Sequence, residues 1–93
     1  MYRKELIPLL LRRAWTVSEL AEHLDVDTRE MADDLVHLER SLRHLPYRMQ
    51  ITPAQCRKCG FVFDRERLRK PGKCPSCRGT WISEPQIGLE PEA

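Results

Sequence analysis

Cys56-Arg57-Lys58-Cys59 and Cys74-Pro75-Ser76-Cys77 contain all four cysteines of the chain, in two matched Cys-x-x-Cys pairs separated by the fourteen residues Gly60 to Lys73. With two residues between sulfurs, one tight turn presents both thiolates to the same point. Two such turns supply the four soft ligands of a closed tetrahedral site. The spacing is close to the Cys-Cys, Cys-Cys metal pattern, with disulfides as the competing reading. Four thiolates leave no open coordination position, so the expected role is structural, filled by one Zn2+ or, second, by iron. A ribbon of about 22 residues buries too little apolar surface to hold itself together. Metal binding, about 10–16 kcal/mol in small zinc peptides, would do so. Gly60 suits a turn of positive φ after the first pair. Phe61 and Phe63 are expected to cover one side of the cluster, and the backbone N–H groups of Arg57 and Lys58 to face the sulfurs.

Outward from the cysteines the pattern has period two. Tyr47, Met49 and Ile51 alternate with Arg48, Gln50 and Thr52, as in a half-buried strand. Beyond the second pair, Thr80-Trp81-Ile82-Ser83 and Gln86-Ile87 read as a second strand interrupted by Pro85, hence an edge. These strands flank the metal module nearly symmetrically and are expected to pair antiparallel as its base.

Farther upstream the period becomes helical. Thr16-Val17-Ser18-Glu19 and Asp27-Thr28-Arg29-Glu30 both fit the capping box. Val17, Leu20, Ala21 and Leu24 mark about two turns of amphipathic helix. Met31, Leu35, Leu38, Leu42 and Leu45 form one stripe on a helix over 28–45 that Pro46 ends. Asp25 can take the left-handed turn between them. Leu6, Ile7, Leu10, Leu11 and Ala14 supply a third apolar face, with Pro8 in its first turn or kinking it, and Trp15 sealing the edge. That face is equally suited to closing the core or to forming a dimer seam. The expected fold is α+β: a winged helix-turn-helix of three helices plus a two-stranded hairpin, with the ribbon inserted at the tip of the wing. Residues 1–46 form the helix-turn-helix and 47–88 the wing with its ribbon (55–80), while 89–93 are a frayed tail.

The segments Cys56-Arg-Lys-Cys59-Gly60-Phe61-Val62-Phe63-Asp64 and Cys74-Pro75-Ser-Cys77 resemble the two knuckles of rubredoxin and of rubredoxin-like zinc ribbons. With the N-terminal helices, nearly the whole chain resembles small prokaryotic winged-helix proteins carrying such a ribbon, regarded as predicted transcriptional regulators. The resemblance implies the fold, the metal and DNA binding. Rubredoxin has a much longer segment between its knuckles and usually continues Cys-Gly after the second. Here Arg78 follows Cys77, which weighs against rubredoxin-like electron transfer by iron.

Charge is segregated along the chain. Residues 1–45 carry a net −2, residues 46–83 a net +7 and residues 84–93 a net −3. A polyanion would be drawn to the middle segment. Arg65, Arg67, Arg69, Lys70 and Lys73 lie between the knuckles, with Arg57, Lys58 and Arg78 beside them, and all are candidate phosphate contacts. Arg29, Arg40 and Arg43 are candidates on the long helix. Against that helix as a reader of DNA stand Glu30, Asp33 and Asp34 at its start, where a recognition helix meets base edges. The leading expectation is therefore a DNA-binding transcriptional regulator with double-stranded DNA as partner. A protein-interaction module of a transcription assembly is the second, and electron transfer the third. His23, His37 and His44 read as surface residues. No catalytic triad, phosphate-cradling glycine loop or carboxylate pair is recognisable, so no enzymatic activity is expected. Nothing approaches a membrane span or a secretory leader, which points to the cytoplasm, where thiols stay reduced.

Overall fold

The computed structural model describes residues 3–92. In chain order it runs α1 (Leu6–Arg12), β1 (Trp15–Thr16), α2 (Val17–Leu24), α3 (Thr28–Ser41), a 3-10 turn (Leu42–His44), β2 (Tyr47–Thr52) and β3 (Gln86–Pro91). The three strands form one antiparallel sheet in the order β1-β3-β2, and the ribbon is the connection between β2 and β3. None of the described helices is long and apolar enough to cross a membrane.

The helix signals act where they were read. Thr16 Oγ1 accepts the Glu19 N–H at 3.0 Å while the Glu19 carboxylate accepts the Thr16 N–H at 2.9 Å, a complete capping box at the start of α2. Asp27 caps α3 by accepting the Glu30 N–H at 2.8 Å. The Glu30 side chain does not close a second box; it pairs with Arg3 instead. Asp25 sits at φ 57°, ψ 50°, the left-handed turn between α2 and α3. Pro8 lies in the first turn of α1, where its missing N–H costs no helical bond.

Five expectations change. Thr80-Trp81-Ile82-Ser83 does not join β3 but stays in the ribbon, where Ile82 bridges Cys56. The long helix stops at Ser41 and tightens into the 3-10 turn before Pro46, with Ser41 Oγ donating back to the His37 carbonyl at 3.1 Å. Ala14 is exposed beyond the end of α1, so Leu6 and Leu10 carry that helix's buried face. The sheet has a third strand, β1, which makes β3 central rather than an edge: Trp15 pairs with Ile87 and Thr16 with Gln86. Pro85 is buried just before β3, outside the ladder, where no donor is required of it. Finally, the tail is not frayed through its described part. Leu89 is buried and pairs with Met49, Glu90 pairs with Arg48, and the strand ends at Pro91. Ala93 lies outside the described residues.

Leu6, Leu10, Val17, Leu20, Met31, Leu35, Leu38, Ile87 and Leu89 build the main core. A second, smaller core of Ala54, Cys56, Phe63, Cys74 and Ile82 belongs to the ribbon. One ribbon residue crosses over: Leu68, from the segment between the knuckles, is buried in the main core.

Candidate metal centre and its basic surroundings

The two knuckles repeat one backbone design. Gly60 N–H donates to the Cys56 carbonyl at 2.9 Å, and Arg78 N–H to the Cys74 carbonyl at 2.8 Å. Cys56 N–H donates to the Phe61 carbonyl at 2.8 Å and Cys74 N–H to the Gly79 carbonyl at 2.9 Å. The fourth residue after the first cysteine of each pair therefore turns left-handed, Gly60 at φ 83° and Arg78 at φ 61°. Arg78 accepts a conformation that disfavours a side chain by about 1–2 kcal/mol.

All four Sγ atoms converge within 4.8 Å of one another. Cys56 and Cys77 approach to 3.5 Å, and Cys59 and Cys74 to 3.6 Å. A tetrahedron with metal–sulfur bonds of about 2.3 Å has edges of about 3.8 Å, so the donor set fits one ion. A bonded sulfur pair would lie at about 2.0 Å, and all four cysteines are free, which sets the disulfide reading aside. Phe63 packs in the ribbon core and Phe61 stacks edge-on against it, ring centres 5.0 Å apart.

The thiols differ in their readiness to ionise. Backbone N–H groups of Cys59 and then Lys58 hold the Cys56 thiol down at about 6 despite burial. At Cys77 the Gly79 N–H acts the same way, from 3.4 Å, but burial and the other thiols outweigh it and push the group up to about 11. One sulfur gives up its proton easily and the next resists, as expected of clustered negative charge that a cation relieves. Lys58 thus faces a sulfur as expected. Arg57 does not: its N–H donates to the Trp81 carbonyl at 2.8 Å.

Residues 53–92 match the family described as PF0610 rubredoxin-like zinc beta-ribbon domain, and residues 2–48 match the one described as PF0610-like, N-terminal. The solution NMR structure of protein PF0610 from Pyrococcus furiosus superposes with a TM-score of 0.80 at 36% identity, covering 96% of this chain and 88% of that one. The chain belongs to the PF0610-like family. Among curated proteins there is no match. In this PF0610-like chain Cys56, Cys59, Cys74 and Cys77 form a site for a single structural zinc ion.

The candidate cationic residues Arg57, Lys58, Arg65, Arg67, Arg69, Lys70, Lys73, Arg78, Arg29, Arg40 and Arg43 are all exposed. Arg29 and Arg40 lie on α3, Arg43 in the 3-10 turn and Lys73 just before Cys74, and the other seven fall into two groups. Arg65, Arg67, Arg69 and Lys70 lie along α3, because Leu68 plugs into the core between them. Arg67, Arg69 and Lys70 share a groove with Ala32, Asp33 and Val36, and Arg65 shares another with Glu39 and Arg40. Arg57, Lys58 and Arg78 instead surround the metal end, with the Lys58 side chain against Gly79. Leu68 and the buried Pro71 are the apolar residues of an otherwise charged run, and that was the available signal for the docking.

Arg3 also escaped the sequence reading. It forms ion pairs with Glu30 and with Asp34, Nε to Oδ2 at 2.8 Å, and Asp34 is buried. Two of the three acidic side chains at the start of α3 are thereby paired with Arg3. Arg29, Asp33, His37 and Arg40, spaced three and four apart, form the outward face. His23 lies 5.3 Å from Trp15, whose ring also carries Arg13 at 3.6 Å; neither is near the cysteines' sequence segment.

Proposed function

We propose that this PF0610-like protein is a winged helix-turn-helix regulator that binds double-stranded DNA, with its zinc ribbon as a phosphate-contacting wing. The element order α1-β1-α2-α3-β2-β3, with β1 completing the sheet at β3, supports the winged-helix reading. One observation carries the DNA reading: Arg65, Arg67, Arg69 and Lys70 are held alongside the outward face of α3, which itself offers Arg29, His37 and Arg40. A duplex meeting α3 would meet these cations together. Because phosphate contacts release counterions, binding should weaken with salt by a slope of about 0.9 per contact. The reduced thiols of the site suit the cytoplasm, where such a regulator would act.

The test is fluorescence anisotropy of a labelled mixed-sequence duplex titrated with zinc-loaded protein at several salt concentrations. Micromolar binding with a steep slope is expected. R67A/R69A/K70A should lower that slope by about 2.7; an unchanged slope would remove the segment from the contact surface.

A second reading has its own support. The segment that brings the cations also covers one flank of α3, and Asp33, Glu39 and Glu66 line the same grooves. That mixed-charge surface would suit a protein partner in a transcription assembly. No duplex binding even at low salt, with co-purification of a defined protein, would favour it.

A further inference from the structure

The ribbon carries a second surface that the helix-turn-helix does not use. Cys56 pairs opposite Ile82 and Gln55 opposite Val62, so three short segments run side by side. Cys56 and Ile82 point into the ribbon core. Their neighbours Gln55, Arg57, Trp81 and Ser83 therefore point outward, as does Val62 opposite Gln55. Trp81 is 66% exposed and Val62 56% exposed, the two most exposed large apolar side chains among the described residues. Arg57 stands directly across from Trp81, its N–H on the Trp81 carbonyl, and Lys58 follows against Gly79. Gln55, Arg57, Gly60, Trp81 and Ser83 line one groove. Residues 53–63 and 73–83 hold Arg57, Lys58, Lys73 and Arg78 and no Asp or Glu.

We infer that this face binds single-stranded DNA, an unpaired base stacking on Trp81 while Arg57 and Lys58 hold the flanking phosphates. Stacking on an exposed aromatic beside cations is the physical basis of single-strand binding, and any base has the required π-face. Val62 offers an apolar contact for a thymine methyl, a group uracil lacks. Gln55 and Ser83 supply side-chain donors and acceptors for base edges. A protein partner fits less well. A stable interface needs about 800 Å² on each side around an apolar centre, and here one Trp and one Val stand among cations. A second copy would set Arg57 and Lys58 against their own duplicates.

The inference does not depend on duplex binding by α3. Its test is anisotropy of a short labelled oligothymidylate with zinc-loaded wild type, W81A, W81F and R57A, each verified for zinc content and helical signal. Salt-dependent binding is expected. W81A should weaken it about 5- to 150-fold, W81F should restore most of it, and R57A should lower the salt slope by about 0.7. Duplex binding should be unchanged in W81A. Absence of duplex binding with oligothymidylate binding intact would leave this inference standing and sink the regulator reading alone. Equal affinity of wild type and W81A would overturn it, as would no binding at low salt. Oligouridylate bound as tightly as oligothymidylate would overturn the assignment to DNA.

Discussion

Replacing Leu68 with alanine should uncouple the metal module from the helices. Leu68 belongs to the segment between the knuckles, yet it is 9% exposed within the main core, between Ala32 and Val36 of α3 and Ile51 of β2. The substitution removes three carbons, worth about 2.4 kcal/mol at about 0.8 kcal/mol each. Grooves open on either side of the site, so water can enter and the extra penalty of an empty cavity should be small. For a chain of this size the loss corresponds to a fall of about 10–20 °C in Tm. The informative experiment is a cycle: urea midpoints of the helical signal for wild type and L68A, each with zinc and with a chelator. Chelation lengthens the free connection between β2 and β3 in both proteins, and that contribution cancels. In wild type it also releases Leu68; in L68A there is nothing to release. Chelation should therefore destabilise wild-type helices by about 2 kcal/mol more than L68A helices. An equal effect in the two proteins would refute Leu68 as the link.

Three further outcomes are expected. R78G should raise stability by about 1 kcal/mol, because glycine takes the left-handed turn at φ 61° without the side-chain penalty, though it loosens the unfolded chain; an unchanged or lower midpoint for zinc release would contradict that. T16A should cost about 1 kcal/mol in urea denaturation by opening the capping box of α2, and a neutral result would show that the box is redundant with the sheet pairing of Thr16. Glu19, held below its ordinary 4.5 by the Thr16 N–H and then by Arg13, and Glu90, held down by Arg48, stabilise the fold above that value and lose this as pH falls through their lowered folded values. E19Q/E90Q should accordingly show a shallower loss of stability in acid than wild type, and an identical acid limb would exclude both carboxylates as its source.

The metal site was legible because its chemistry is local: Cys-x-x-Cys fixes two sulfurs within one turn, and four cysteines admit few arrangements. The helix starts were legible for the same reason, since Thr16, Glu19, Asp25 and Asp27 act within a few residues of their own positions. What escaped the reading depends on distant partners. β1 is two residues long, too short to show any period, and exists because β3 lies beside it. The central place of β3 follows from that same pairing. Arg3 meets Asp34 across 31 positions of sequence, and nothing local to either residue announces it. Leu68 sat in view as an apolar residue in a basic run, yet only the fold shows which core receives it.

Those two long-range contacts both make the face of α3 less negative, and the second also covers part of it. From sequence, the start of α3 offers phosphates three negative charges. Arg3 pairs with both Glu30 and Asp34 and offsets one of their two charges, leaving one unit there and Asp33 beside Arg29, His37 and Arg40. Leu68 then brings four cations of the ribbon beside that face, and in doing so occupies a flank of the helix. The consequence is a composite surface in which Arg40, Arg65, Arg67, Arg69 and Lys70 stand among Asp33, Glu39, Asp64 and Glu66, and whose shape limits how deeply α3 could enter a groove. Such a surface should hold DNA chiefly through its backbone, with salt dependence large and discrimination between sequences small. Strong sequence preference with a weak salt slope would mean that α3 reaches base edges despite the ribbon, and that the docked arrangement around Leu68 opens when DNA binds.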